Sequence, residues 1–359
     1  MEEQEQIKNK KHPLVPYFKS LEEKVPEDEI AKRWDELMRR QKSLPSTRQY
    51  KMKRIFVQVA CAAAVLGIIW GISLYFENRV PSMDEVIAQL DECVMDTTHQ
   101  VLLITQTEQQ IEAGKEAHIS YSQNGTVLVN QRPVEKEEET SQKTAYNQLI
   151  VPKGKSSYLV LADGTSLHVN SGTKVLYPST FKGKYREIYV DGEIYIDVAK
   201  NTEQPFIVKT PEFDIRVTGT AFNVNAYKSM REAEVVLLRG AIVVTDCADH
   251  EVEVKPNELL CLNEGAASSK REVDASEYIA WTKGYFPLQG RSMESILRRL
   301  SLYYGCEITC DSSVKALSLL GTIDLSVSLD TVFDRIAKIH PVGVRQTANG
   351  YHLFMNLKN

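Results

Sequence analysis

Residues 55–76, IFVQVACAAAVLGIIWGISLYF, form a run of 22 in which only Gln58 and Ser73 are clearly polar. At about 1.5 Å per residue the run makes a helix of roughly 33 Å, enough to cross a hydrocarbon core of about 30 Å. A helix buried in a soluble protein would normally carry a polar stripe, and this run has none. A cleaved signal peptide would begin near the N-terminus, with an apolar stretch of only about 7 to 15 residues. The pattern therefore predicts one membrane-spanning helix over 55–76, dividing a short leading segment, 1–54, from a long trailing one.

Ahead of the span, PEDEIAKRWDELMRRQKS predicts a helix that starts at Pro26 and the acids Glu27, Asp28 and Glu29 and ends near Arg39 and Arg40. Ile30, Trp34, Leu37 and Met38 fall on one face at spacings of four, three and one. Such a stripe is too small to build a core alone. With a second apolar cluster, LVPYF at 14–18, the tail is expected to fold against something else. A helix lying on the membrane surface, or a mostly disordered tail, competes with that expectation.

Beyond the span, 77–147 reads as a connecting region. It has a short helix over 82–90, strands over 99–107 and 117–130 with a turn at Asn124-Gly125, and a solvated charged loop, EKEEETSQK, over 135–143. From 148 to 263 the texture is all β. LVLADGTSLHVN sets Leu159 and Leu161 before a turn at Asp163-Gly164, with Leu167 and Val169 after it on the same face. EIYVDGEIYIDV repeats the arrangement around Asp191-Gly192. Short strands at spacings near ten indicate a sandwich or roll. EGAASSKREVDASE opens a linker over 264–283.

The last region, 284–359, changes period. A strand over 285–288 precedes a helix begun by Ser292, with Met293, Ile296, Leu297 and Leu300 on one side, and a strand over 306–309 follows. The unit recurs as an extended 319–323, a helix over 328–339 using Leu329, Val332, Phe333 and Ile336, and strands over 342–346 and 351–355. Two βαβ-like units of this size predict a small α+β sandwich with helices on one sheet face.

Charge sets the orientation. Arg39, Arg40, Lys42, Arg48, Lys51, Lys53 and Arg54 precede the span with no acid among them, whereas 77–100 holds Arg79 against six acids. The positive-inside rule then places the N-terminus in the cytoplasm, the trailing region in the periplasm and the helix in the inner membrane. Trp70, Tyr75 and Phe76 form an interface belt. With 359 residues, 43% hydrophobic, the chain can hold two or three domains. A formal net charge of −5 argues against nucleic acid as a direct partner.

Candidate chemistry is thin. None of the seven histidines forms HExxH or pairs with cysteine at zinc spacing, so no metal site is expected. GKS at 154–156 lacks the phosphate-loop glycine five positions earlier, where Leu149 stands. No G-x-S-x-G is present, and His168 reads as a polar-face strand residue. Cys61, Cys93, Cys247, Cys261, Cys306 and Cys310 define no pairing and read as packing residues. Neither catalysis nor a cofactor is expected.

LADGTSLHVNSGTKVLYPSTF (161–181), REIYVDGEIYIDVAKNTEQPFIVKT (186–210), IRVTGTAFNVNAY (215–227) and VVLLRGAIVV (235–244) together resemble the FecR family of membrane anti-sigma regulators. YFPLQGRSMESILRRLSLYYGCEITC resembles the small domain that follows FecR domains, similar to the short N-terminal domains of secretins and TonB-dependent receptors. The resemblance covers about 148–355. It implies that the tail holds an extracytoplasmic-function sigma factor and that the periplasmic part is signalled by the N-terminal domain of a TonB-dependent outer-membrane transducer. The tail has no residue-by-residue match, so sigma binding rests on the architecture and the Ile30, Trp34, Leu37 and Met38 face. On this view Gly164 and Gly192 are hairpin glycines with φ > 0. Gly219 and Gly240 permit bends or close strand approach, and all four are structural. The other open class is a membrane-anchored periplasmic binding or scaffolding module with an inert tail.

Overall fold

A computed structural model of the chain describes residues 26–43, 47–77, 82–88, 99–106, 109–113, 116–121, 127–133, 146–288 and 291–356. The apolar cluster at 14–18, the Asn124-Gly125 turn, the charged run at 135–143 and Cys93 lie outside them. The chain divides into two compact units, Met1–Arg79 and Val80–Asn359.

The first unit holds the helices Glu27–Ser43 and Thr47–Glu77. The second contains the predicted span, and its window Arg54–Gly71 is long and apolar enough to cross a membrane, with none of it buried in protein.

The second unit is dominated by a curled eighteen-stranded sheet whose two limbs share the strand Arg186–Asp197. Up to Asp191 this strand pairs antiparallel with Thr173–Tyr177 and parallel with Phe206–Lys209. From Gly192 onward it pairs with Ser166–Val169 and Ala221–Ala226 in the other limb. Ile188, Val190, Ile194 and Ile196 point inward along it and are fully buried, together with Leu159, Leu161, Leu167 and Val169. The core lies between the limbs, as the period-two pattern requires.

The expected hairpin at Asp191-Gly192 is replaced by one continuous twelve-residue strand. Partners distant in sequence hold both halves extended, and the glycine serves the crossing. Gly192 has φ 140°, and a Cβ there would collide with the side chain of Thr173. The Thr173 hydroxyl accepts a hydrogen bond from the Glu193 amide at 3.0 Å. Gly192→Ala is therefore expected to destabilise the β body by at least about 1–3 kcal/mol, read as a lower urea midpoint.

Asp163-Gly164 does form a hairpin, joining Ser156–Val160 to Ser166–Val169. Gly219 and Gly240 lie in the connections that follow Asp214–Val217 and Glu232–Arg239. The expected linker from 264 begins instead with a further strand, Ala266–Glu272, paired along Glu258–Asn263 and exposed throughout. It has no apolar face; backbone pairing holds it at the sheet edge, with polar side-chain bonds from Ser268, Lys270 and Arg271 to neighbouring elements.

The C-terminal region has the expected helices, Met293–Tyr304 and Leu329–Ile339, each begun by a serine whose hydroxyl accepts from the third residue on. Their inner faces build one core from Met293, Ile296, Leu297, Leu300, Leu329, Val332, Phe333 and Ile336. The strands divide between two small sheets instead of sharing one. Tyr285–Pro287 pairs with Thr322–Asp324, and Gly350–Met355 lies between Glu307–Cys310 and Val342–Gln346.

Candidate functional site

The tail helix Glu27–Ser43 carries no chemistry but presents a surface. Ile30, Trp34, Leu37 and Met38 are 46%, 61%, 59% and 53% exposed. Elsewhere on the same helix, Arg33 and Arg40 reach back to Glu29 and Glu36 at 3.3 and 3.5 Å, solvated pairs that add little stability. Four large apolar side chains gathered on one helical face are the geometry of a helix that docks in a groove.

The densest charge arrangement lies where the C-terminal domain meets the β body. Arg291 donates to both oxygens of Glu234, at 2.8 and 3.3 Å, and Arg299 donates to Glu234 Oε2 at 2.9 Å. Arg299 also stands 3.5 Å from Glu193, which accepts from Asn170 and Asn223. Trp281 Nε1 closes the network on Asn223 Oδ1 at 3.0 Å. The backbones approach as closely as glycine allows: the Gly154 amide donates to Leu302 O at 2.9 Å, and a Cβ on Gly305 would meet Lys153 O at 3.1 Å. The GKS segment at 154–156 thus serves the domain junction.

Two arginines from one domain and two glutamates from the other balance in charge, and each is at most one-fifth exposed. Such a cluster specifies a docking geometry more than it adds net stability, and breaking one member is costly. Burial pushes the Glu234 carboxyl up, but Arg299 and Arg291 outweigh it and hold the group below the usual carboxylate range. A carboxyl with a depressed folded pKa contributes stability that is complete above its unfolded value and is lost as pH falls through the folded one. Domain docking is therefore expected to loosen below about pH 4.5, the ordinary glutamate value. A red shift of Trp281 fluorescence, with Trp34 and Trp70 replaced by Phe, measures it, and Glu234→Gln should produce the shift already at neutral pH.

Beside the junction, His118, Tyr158, His168 and Tyr195 occupy one register row across four strands, with successive ring centroids 5.0, 4.8 and 5.9 Å apart. His118, Tyr158 and His168 floor an open groove of about 600 Å³ walled by Trp281 and Tyr303. His168 is the strand residue expected, and burial lowers its pKa. Among the described residues no cluster of His, Cys, Asp or Glu could hold a metal.

Sequence reasoning pointed to the tail face, in the first unit, and to the glycines, in the second. It missed Arg186, Glu193, Glu234, Arg291 and Arg299. For Arg186 a signal existed: it shares the inward parity of Ile188 and Val190, so a buried arginine was readable there. The junction charges look like ordinary solvated residues until their partners are known.

The chain thus joins a helix of membrane-spanning length to a curled β body that carries a small α+β domain. The FecR protein family model matches residues 147–243, and the family model for the FecR C-terminal domain matches 285–352. Residues 147–243 and 285–352 thus carry the two domains characteristic of FecR proteins. Two crystal structures of a candidate anti-sigma factor from Parabacteroides distasonis ATCC 8503 are similar, each 28% identical with a TM-score of 0.55. They align over 58% of this chain and over 99% and 98% of their own. No curated protein matches.

Proposed function

We propose that the chain is a single-pass inner-membrane anti-sigma factor. Its cytoplasmic tail, 1–54, holds an extracytoplasmic-function sigma factor through Ile30, Trp34, Leu37 and Met38. Its periplasmic domains take a signal from the N-terminal domain of a TonB-dependent outer-membrane transducer. An anti-sigma, signal-transducing role has the support of the FecR matches and of the similar structures. The observation that carries the finer reading is the order along the chain: an exposed amphipathic helix, one apolar helix, then the sensor domains.

For the transducer, the small sheet offers strand edges: Glu307–Cys310 and Val342–Gln346 each pair on one side only, with Gly350–Met355, among the described residues. An incoming strand can extend such an edge. Affinity capture of the full chain from solubilised membranes tests the function. It should recover a sigma factor, and deletion of 1–50 should abolish the recovery. Recovery unaffected by that deletion, or no sigma factor at all, would leave an anchored periplasmic binding or scaffolding module.

A further inference from the structure

The helix Met83–Ile87 is five residues long. Isolated helices shorter than about 12–15 residues are marginal in water, so this one exists because of what it packs against. Met83 is buried among Leu176 and Tyr189 on the outer face of the β body, with Val86, Ile87 and Tyr146 packed around it. Asp84 Oδ1 takes a hydrogen bond of 2.7 Å from Lys209 Nζ. Ser82 and Glu85 cap the first turn reciprocally, at 3.1 and 3.3 Å. Helix and docking therefore form together or not at all.

The seat of this helix is not independent of the domain junction. Tyr189, which covers Met83, and Glu193, which faces Arg299, both point outward from the crossing strand Arg186–Asp197, Tyr189 before it passes from one limb to the other and Glu193 just after. Between them sits Gly192, wedged on Thr173. In the chain, only residues 78–82 separate the apolar helix from the docked one.

We propose that Met83–Ile87 is a releasable clasp, and that the crossing strand makes its hold on the β body depend on the docking of the C-terminal domain. Loss of the Glu193, Glu234, Arg291 and Arg299 network shifts the strand's outer face and frees the clasp. By linkage, freeing the clasp weakens the junction to the same degree. The direction of signalling rests on the proposed function, but the coupling does not, and it is measured without a sigma factor.

The test is amide hydrogen exchange on the full chain in lipid nanodiscs, reading Val86 and Ala88, whose amides donate to Ser82 O and Asp84 O. Met83→Ala should speed their exchange about ten- to a hundredfold, the loss expected for one unburied methionine. Unchanged exchange would show that the β body does not hold the helix. Glu234→Gln should speed exchange at Gly154, reporting an open junction, and at Val86 and Ala88 together. Faster exchange at Gly154 with Val86 and Ala88 unmoved overturns the coupling. Should Glu234→Gln unfold the β body, seen as lost protection at Ile194, Trp281→Phe, which removes the bond to Asn223 without touching a charge, is read in its place with the same two outcomes.

Discussion

Arg186→Met is expected to lower the stability of the β body by about 3–5 kcal/mol, the cost of removing one partner from a buried, fully engaged ion pair. Arg186 is 1% exposed and is the largest fully buried side chain among the described residues. Its guanidinium donates to Asp163 Oδ2 at 2.7 Å and to the carbonyls of Ala199 and Gln204 at 2.8 and 2.9 Å. It also lies over the Phe206 ring at 5.2 Å. Methionine fills the space but leaves those carbonyls without a donor and Asp163 without its cation. Asp163 in turn orders its hairpin by accepting from the Thr165 amide and hydroxyl, so the loss spreads to the turn. Arg186→Lys should recover only part of the stability, because an ammonium cannot reproduce the planar fork. Urea unfolding followed by far-ultraviolet circular dichroism measures both, and a Met variant within about 1 kcal/mol of the parent would show that the network is dispensable.

Trp34→Ala is expected to weaken sigma-factor capture by about 2 kcal/mol, roughly thirtyfold, since a large aromatic at the centre of an apolar docking face typically dominates its energy. Arg33→Ala should leave capture unchanged, because its pair with Glu29 is largely solvated. Equal loss in both variants would mean that the helix as a whole, and not its apolar face, is recognised. Circular dichroism of the two tails separates loss of helix from loss of contact.

The fold was legible wherever local pattern and burial coincide. Leu159, Leu161, Leu167 and Val169 alternate in the sequence and are buried as expected. Ser292 and Ser328 stand before apolar faces at helical spacing and cap the helices expected there. Legibility failed where the deciding partner is remote. Asp191-Gly192, flanked by alternating apolar residues, has the local form of a hairpin, but Thr173–Tyr177 on one side and Ala221–Ala226 on the other keep the strand running. AASSKRE has no strand character of its own and becomes a strand through its backbone pairing to Glu258–Asn263 and the polar contacts of Ser268, Lys270 and Arg271. Glu234, Arg291 and Arg299 are unremarkable charges until two domains bring them within 3 Å. The tail face was readable because exposure of large apolar residues at helical spacing needs no tertiary partner.

The proposed signalling function depends on the apolar helix separating two compartments. The most direct measurement fuses to each terminus in turn a reporter active only in the cytoplasm and one active only in the periplasm. The account predicts cytoplasmic activity at the N-terminus and periplasmic activity at the C-terminus. Both termini reporting from the same side would contradict it.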